Sequence, residues 1–272
     1  MKRILIFCSI YFITLTVQAQ TDTIFTNNEK IPCVVKEITG DAVQYSFLGE
    51  ELRNTIYKNA VQKIVFKSGR VQIFAEATSY KKINSISDYD NVVITQVEGE
   101  VKGLFKLGDA SSKAKGTTVM SNQERVKERA YRKLKIQAAF QGANVIYLTD
   151  QRGQGNKGGR YGSSTETSLT GVVYTNQLPS FEQFKRQVGT KQTFEAIQEA
   201  ELYSSSSDYT QRDISKSFKL TSLTNENGLI LINGSLDGIS KYSKFRVVSF
   251  TKDTFSIFYE DKSTAYNIMI KM

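Results

Sequence analysis

Apolar and polar positions alternate with a period of two through the first part of the chain. Val43, Tyr45 and Phe47 fall on one face and Ala42, Gln44 and Ser46 on the other, the pattern of a half-buried strand. Lys63 to Phe66 and Arg70 to Phe74 flank Ser68-Gly69, a turn dipeptide, which predicts a hairpin. Residues 20–78 read as a small antiparallel β module. The polar, weakly periodic stretch 78–90 reads as a connection.

Beyond residue 91 the period changes. Asn91 to Val97 and Val101 to Leu107 are strand candidates joined by the turn Glu98-Gly99-Glu100, and a polar segment, Gly108 to Thr118, follows them. Ser121 and Glu124 have the spacing of a capping box, and Val126, Ala130, Leu134 and Ala138 recur every four residues before Gly142. These signals predict a helix over about 122–141. Ala143 to Thr149 is the strand on which it packs, with Ser168 to Thr175 as the hairpin partner. Residues 88–177 thus read as an α/β, sandwich-like module with one long helix.

Pro179-Ser180 opens a second helical stretch, with Ser180 and Gln183 as a capping box and Phe181, Phe184 and Val188 as apolar positions. Gly189 interrupts it. Phe194, Ile197 and Leu202 suggest a further helical turn over Gln192 to Tyr203, so 179–203 reads as a helical connector, and Ser204 to Ser207 as a linker. Strands return at Phe218 to Leu223, Leu229 to Ile232, Phe245 to Phe250, Thr254 to Tyr259 and Tyr266 to Ile270. Asn227-Gly228, Asn233-Gly234 and Asp237-Gly238 supply the turn signals. Residues 216–272 read as a C-terminal antiparallel β module. The fold class expected is α+β and multi-module: a small antiparallel β module, the α/β module, then the C-terminal β module.

The N-terminus changes the compartment. Lys2 and Arg3 precede a nearly unbroken apolar run, Ile4 to Val17, and Val17-Gln18-Ala19 places small residues where a signal peptidase reads them. Residues 1–19 are expected to be a signal peptide cleaved after Ala19. That makes the chain an exported bacterial protein, periplasmic or at the outer surface or secreted. No later segment reaches the about 20 apolar residues of a transmembrane helix. Phe7 before Cys8 does not fit lipoprotein cleavage, so no lipid anchor is expected.

Composition then removes several chemistries. The chain has no histidine, which excludes Ser-His-Asp and Cys-His nucleophilic sites and His-ligated zinc. Removal of the leader leaves Cys33 as the only cysteine, inside the apolar run Ile31 to Val35, where it reads as a small buried hydrophobe. Neither a cofactor nor a metal is expected. Carboxylate chemistry survives, with Asp88 and Asp90 or Glu98 and Glu100 as candidates for an acid pair or a calcium site.

Charge points to anionic partners. Of 36 basic residues, Lys2 and Arg3 leave with the leader, and the remaining 34 face 27 acidic ones, a net +7. The densest basic surface is the outer face of the predicted helix, with Arg125, Lys127, Arg129, Arg132, Lys133 and Lys135 against Glu124 and Glu128. The glycine-rich segment Arg152 to Gly162 adds Arg152, Lys157 and Arg160 on a hairpin loop. Its Gly153, Gly155 and Gly158 match the letters of a dinucleotide fingerprint, but a Ser/Thr-rich strand follows instead of a helix, so the match is rejected. An exported chain meets little nucleic acid, which removes that partner class. The candidate surface for an anionic partner is therefore Arg125, Arg129, Arg132, Lys133, Arg152, Lys157 and Arg160.

The stretch Leu134-Lys-Ile-Gln-Ala-Ala-Phe-Gln-Gly-Ala-Asn-Val-Ile-Tyr-Leu resembles the small exported α/β domains of RcsF-type envelope lipoproteins. In these a helix ends Leu-Lys-x-x-Ala and leads through Ala-Asn-x-Val into a strand. The resemblance covers roughly residues 91–177. It implies an envelope-surface domain that works by contact; this chain lacks that family's paired cysteines and lipidation site. The N-terminal module resembles a recurrent small β unit of exported Gram-negative proteins. The function expected is that of a non-catalytic envelope or secreted protein that binds an anionic envelope polymer or another envelope protein. The alternatives are a carboxylate-dependent glycan hydrolase and a structural subunit of an envelope assembly.

Overall fold

In the computed structural model, residues 21–26, 30–74, 80–118, 120–155 and 163–272 are described. The expected signal peptide lies outside them. The described residues are β-rich, with one long helix, three sheets and mostly antiparallel pairing, which is the α+β multi-module class read from the sequence.

The first sheet has six strands, β1 (Asp22–Thr26), β2 (Lys30–Ile38), β3 (Ala42–Phe47), β4 (Asn54–Tyr57), β5 (Val61–Val65) and β6 (Val71–Ile73), in the order β4-β3-β2-β1-β5-β6. The β5–β6 hairpin turns at Gly69, whose φ of +80° is cheap only for glycine. Ile24, Cys33, Val43 and Ile64 form its core, and burial pushes the Cys33 thiol up to about 11, as expected of a packing residue.

The second sheet contains β7 (Val93–Thr95), β8 (Phe105–Lys115), β9 (Val145–Gln154) and β10 (Glu166–Thr175) in the order β7-β9-β10-β8. Two expectations fail here. Glu98–Glu100 is a 3-10 turn and not a hairpin tip, because β7 leaves to pair parallel with β9 while β8 pairs with β10. The polar segment 108–118 is strand as far as Lys115. Its small residues let a helix approach: Ala110 and Ser112 are buried under it, and the Ser112 hydroxyl donates to the Ala130 carbonyl at 2.7 Å.

That helix is α1 (Gln123–Phe140). Val126, Ala130, Leu134 and Ala138 are all buried, and Gly142 takes φ +75° beyond its end. The N-cap is Asn122, whose side chain accepts from the Arg125 amide at 3.1 Å; Ser121 instead accepts from the Thr118 amide.

The third sheet is a closed barrel of six strands: β11 (Thr193–Tyr203), β12 (Thr210–Glu226), β13 (Leu229–Leu236), β14 (Lys244–Phe250), β15 (Thr254–Asp261) and β16 (Thr264–Lys271). Here the expected helical connector is corrected. Only α2 (Phe181–Val188) is helical, and the stretch read as a further helical turn is the first barrel strand, β11, with a bulge between Ala196 and Gln198. Closure pairs β11 with both β12 and β16, and those two ladders outweigh the weak local helical spacing. Asn227-Gly228 turns as expected, with φ values of 53° and 85°. Asn233-Gly234 does not turn. Gly234 lies within β13 opposite a bulge in β12, where a Cβ would stand 2.2 Å from the Lys219 carbonyl oxygen. Gly234→Ala is accordingly expected to cost about 1–3 kcal/mol through forced separation of the two strands, read as a lower urea midpoint.

The barrel core is aromatic. Phe194, Phe218, Phe245 and Phe255 are buried, and Phe184 of α2 packs on Phe255 at 5.4 Å, so α2 plugs one end. The outer face of β11 carries Ala200 and Leu202, which pack with Ala265 against Ile136 and Phe140 of α1. Arg246 completes this junction by donating to the carbonyls of Leu107 and Gln141 at 2.8 and 3.1 Å.

Candidate functional site

The basic surface read from the sequence is divided by the fold. Arg125, Arg129 and Arg132 line one shallow groove of about 750 Å3 with Ser121, Asn122 and Glu128. Arg129 donates to the Lys115 carbonyl at 3.0 Å. Arg132 is held by Asp208 at 2.8 Å and by the Tyr89 hydroxyl at 3.1 Å, with its guanidinium 5.3 Å from the Tyr89 ring.

Lys133 does not belong to this surface. It is 3% exposed and its ammonium donates to the Ser204 carbonyl in the β11–β12 turn, so it ties the helix to the barrel. Burial lowers its pKa. Arg152 lies on the opposite face of the second sheet: a bulge near Thr149 shifts the side-chain parity of β9. Gln151 therefore faces α1, bonding Tyr131, while Arg152 pairs with Asp150 at 2.8 Å on the other side. Lys157 and Arg160 lie outside the described residues.

The carboxylate candidates sit in two separate 3-10 turns. Asp88 accepts from the backbone amides of Asn84 and Ser85 at 2.9 and 3.1 Å, capping the turn Ile86–Asn91. Asp90 uses its backbone carbonyl to receive Lys135. Glu98 and Glu100 are exposed in theirs. Among the described residues no group of acids and Cys33 is placed to hold a metal ion.

A different carboxylate pair is brought together at the end of the barrel away from α2. Before its bulge, β11 turns Phe194 and Ala196 inward; after it, Glu199 and Glu201 take the inward face and Ala200 and Leu202 the outer one. Arg212 and Lys216 lie on β12 in the same inward phase as Phe218. Glu199 accepts from Arg212 and, at 2.8 Å, from Lys216; Glu201 accepts from Arg212 at 2.7 Å and from the Tyr203 hydroxyl. Burial alone would push the Glu199 carboxyl up, but hydrogen bonds with Glu201, Lys216 and Arg212 outweigh it and bring the group down to about 2.

Tyrosines form the other wall. Tyr259 and Tyr266 stack with centroids 4.8 Å apart and planes 3° from parallel, and Tyr242 leans on Tyr259 at 5.4 Å while donating to Asp261 at 2.9 Å. Burial first, then the field of Glu199, raises the Tyr259 phenol well above its ordinary value, so it stays protonated. Together these groups enclose a cavity of about 330 Å3.

Sequence reasoning missed this site. The polar period-two positions Glu199 and Glu201, interleaved with Ala200 and Leu202, were the available signal, and the helical reading of Gln192 to Tyr203 concealed it. Comparison with known families, curated proteins and solved structures finds no match for this chain.

Proposed function

We propose that this chain is an exported envelope or secreted protein that acts by contact, docking the basic edge of α1 on an anionic envelope polymer. The observation that carries the reading is the convergence of Arg125, Arg129 and Arg132 on one groove in which, among the described residues, Glu128 is the only acidic one. Two of these arginines are already held in place by protein partners. A guanidinium has five N–H donors, so each retains donors for a carboxylate or phosphate and loses little further freedom on binding. The leader pattern at 1–19 and the envelope-domain resemblance of 91–177 support the compartment.

Contact rather than glycan hydrolysis is supported by the buried carboxylate pair in the barrel. Glu199, held down to about 2, is ionised at neutral pH and has no proton to donate as a general acid.

The test replaces Arg125, Arg129 and Arg132 together by glutamine and measures binding to immobilised lipopolysaccharide and polygalacturonate across a salt series. The parent should bind and weaken with salt, and the variant should bind about tenfold or more weakly with a flatter salt response. Melting should shift little, since the Arg132–Asp208 pair is half exposed and worth at most about 1 kcal/mol. Equal binding of the two proteins at low salt removes the reading.

A further inference from the structure

The cavity at the open end of the barrel takes no part in docking by α1. We infer that it is a binding site for a neutral, hydroxyl-rich pyranose ring, the terminus of a glycan one or two sugar residues long. Tyr259 carries the argument. Its side chain lines the cavity and is 6% exposed, yet its hydroxyl has no hydrogen-bond partner among the described residues. A phenol that reaches an open cavity is satisfied by water there, or by a ligand hydroxyl that takes the place of the water.

The chemistry of the walls selects the ligand. Glu199, Glu201 and Asp261 face Arg212, Lys216 and Lys241, three charges of each sign, so neither an anion nor a cation gains from the field as a whole. A sugar hydroxyl both donates and accepts. It can therefore use the carboxylates and the spare N–H groups of Arg212 and Lys216 without breaking the pairs between them. Tyr266 lines the cavity, and the face of its ring that is not spent on the stack with Tyr259 can pack on the C–H face of a pyranose. At about 330 Å3 the space suits one or two rings and lies at the lower end for small-molecule pockets.

The experiment uses the whole mature chain, titrated separately with cellobiose, maltose, lactose and chitobiose, and with choline chloride and sodium phosphate as charged probes. Calorimetry and quenching of tyrosine emission, unobscured because the chain has no tryptophan, provide the readouts. At least one disaccharide should bind saturably. Tyr259→Phe, which keeps the ring and its packing, should weaken that binding about fivefold, the loss of one hydrogen bond. The triple glutamine variant of α1 should bind the disaccharide like the parent, so failure of the α1 reading and failure of this one are told apart. The inference is overturned if none of the four disaccharides binds, if choline or phosphate binds in their place, or if Tyr259→Phe leaves the affinity unchanged.

Discussion

Phe140→Ala is expected to cost about 3–5 kcal/mol and to loosen the barrel from the α/β module at the same time. Phe140 is fully buried at the end of α1, among Ile136, Ala200, Leu202 and Ala265, with the Tyr209 ring edge-on at 5.9 Å. Truncation to alanine removes the ring from this cluster and leaves a cavity that the strand β11 cannot collapse to fill, since its other face belongs to the barrel interior. The junction has further ties, among them Asn267 donating to the Phe140 carbonyl at 3.1 Å and Arg246 donating to the Gln141 carbonyl. These backbone contacts do not depend on the ring, so the chain should still fold. Urea denaturation should show the lost stability, and hydrogen exchange should show faster opening of β11 and β16 than of β9 and β10. Exchange that quickens uniformly would mean that the two modules open as one unit.

Replacing both Arg212 and Lys216 by methionine is expected to destabilise the protein clearly at neutral pH, read as a lower urea midpoint, although water screens part of the contribution of Arg212, whose side chain is 62% exposed. The cost comes from Glu199 and Glu201, which stay buried with their cations gone. The pH dependence identifies the cause. In the parent, Glu199 is depressed to about 2 from 4.5, so its contribution is fully present above the ordinary value and is lost as pH falls toward 2. In the variant, burial acts without those partners and raises the carboxyl, so the variant is at its best below the ordinary value and weakens as pH rises through the raised one. The stability gap between the two proteins should therefore be widest at neutral pH and narrow by about pH 4. A gap of constant size would assign the loss to packing of the aliphatic stems instead.

Where a pattern is local and repeated, the sequence alone determined the structure. The stripe Val126, Ala130, Leu134 and Ala138 specifies α1 because four residues make about one turn, whatever lies beneath the helix. The strand over Ala42–Phe47, the turns at Gly69 and Gly228, and the short α2 with its Ser180 cap were legible for the same reason. Arg125, Arg129 and Arg132 group by spacing alone, since i, i+4 and i+7 share a side of any helix.

Only the tertiary structure decided which partners each strand and charge would find. One bulged residue in β11 reversed the parity of everything after it, turning Glu199 and Glu201 into the barrel and Ala200 and Leu202 onto α1. A bulge in β9 likewise sent Arg152 away from the helix face. Lys133, one position from Arg132, was drawn inward by the Ser204 carbonyl, a contact spanning 71 residues. The segment Gly108 to Lys115 became strand because β10 paired with it along its length, overriding residues that are poor strand formers in isolation. In each case the deciding energy lay in ladders, buried ion pairs or cavities closed by distant parts of the chain, whereas local spacing encodes only which face of an element is apolar.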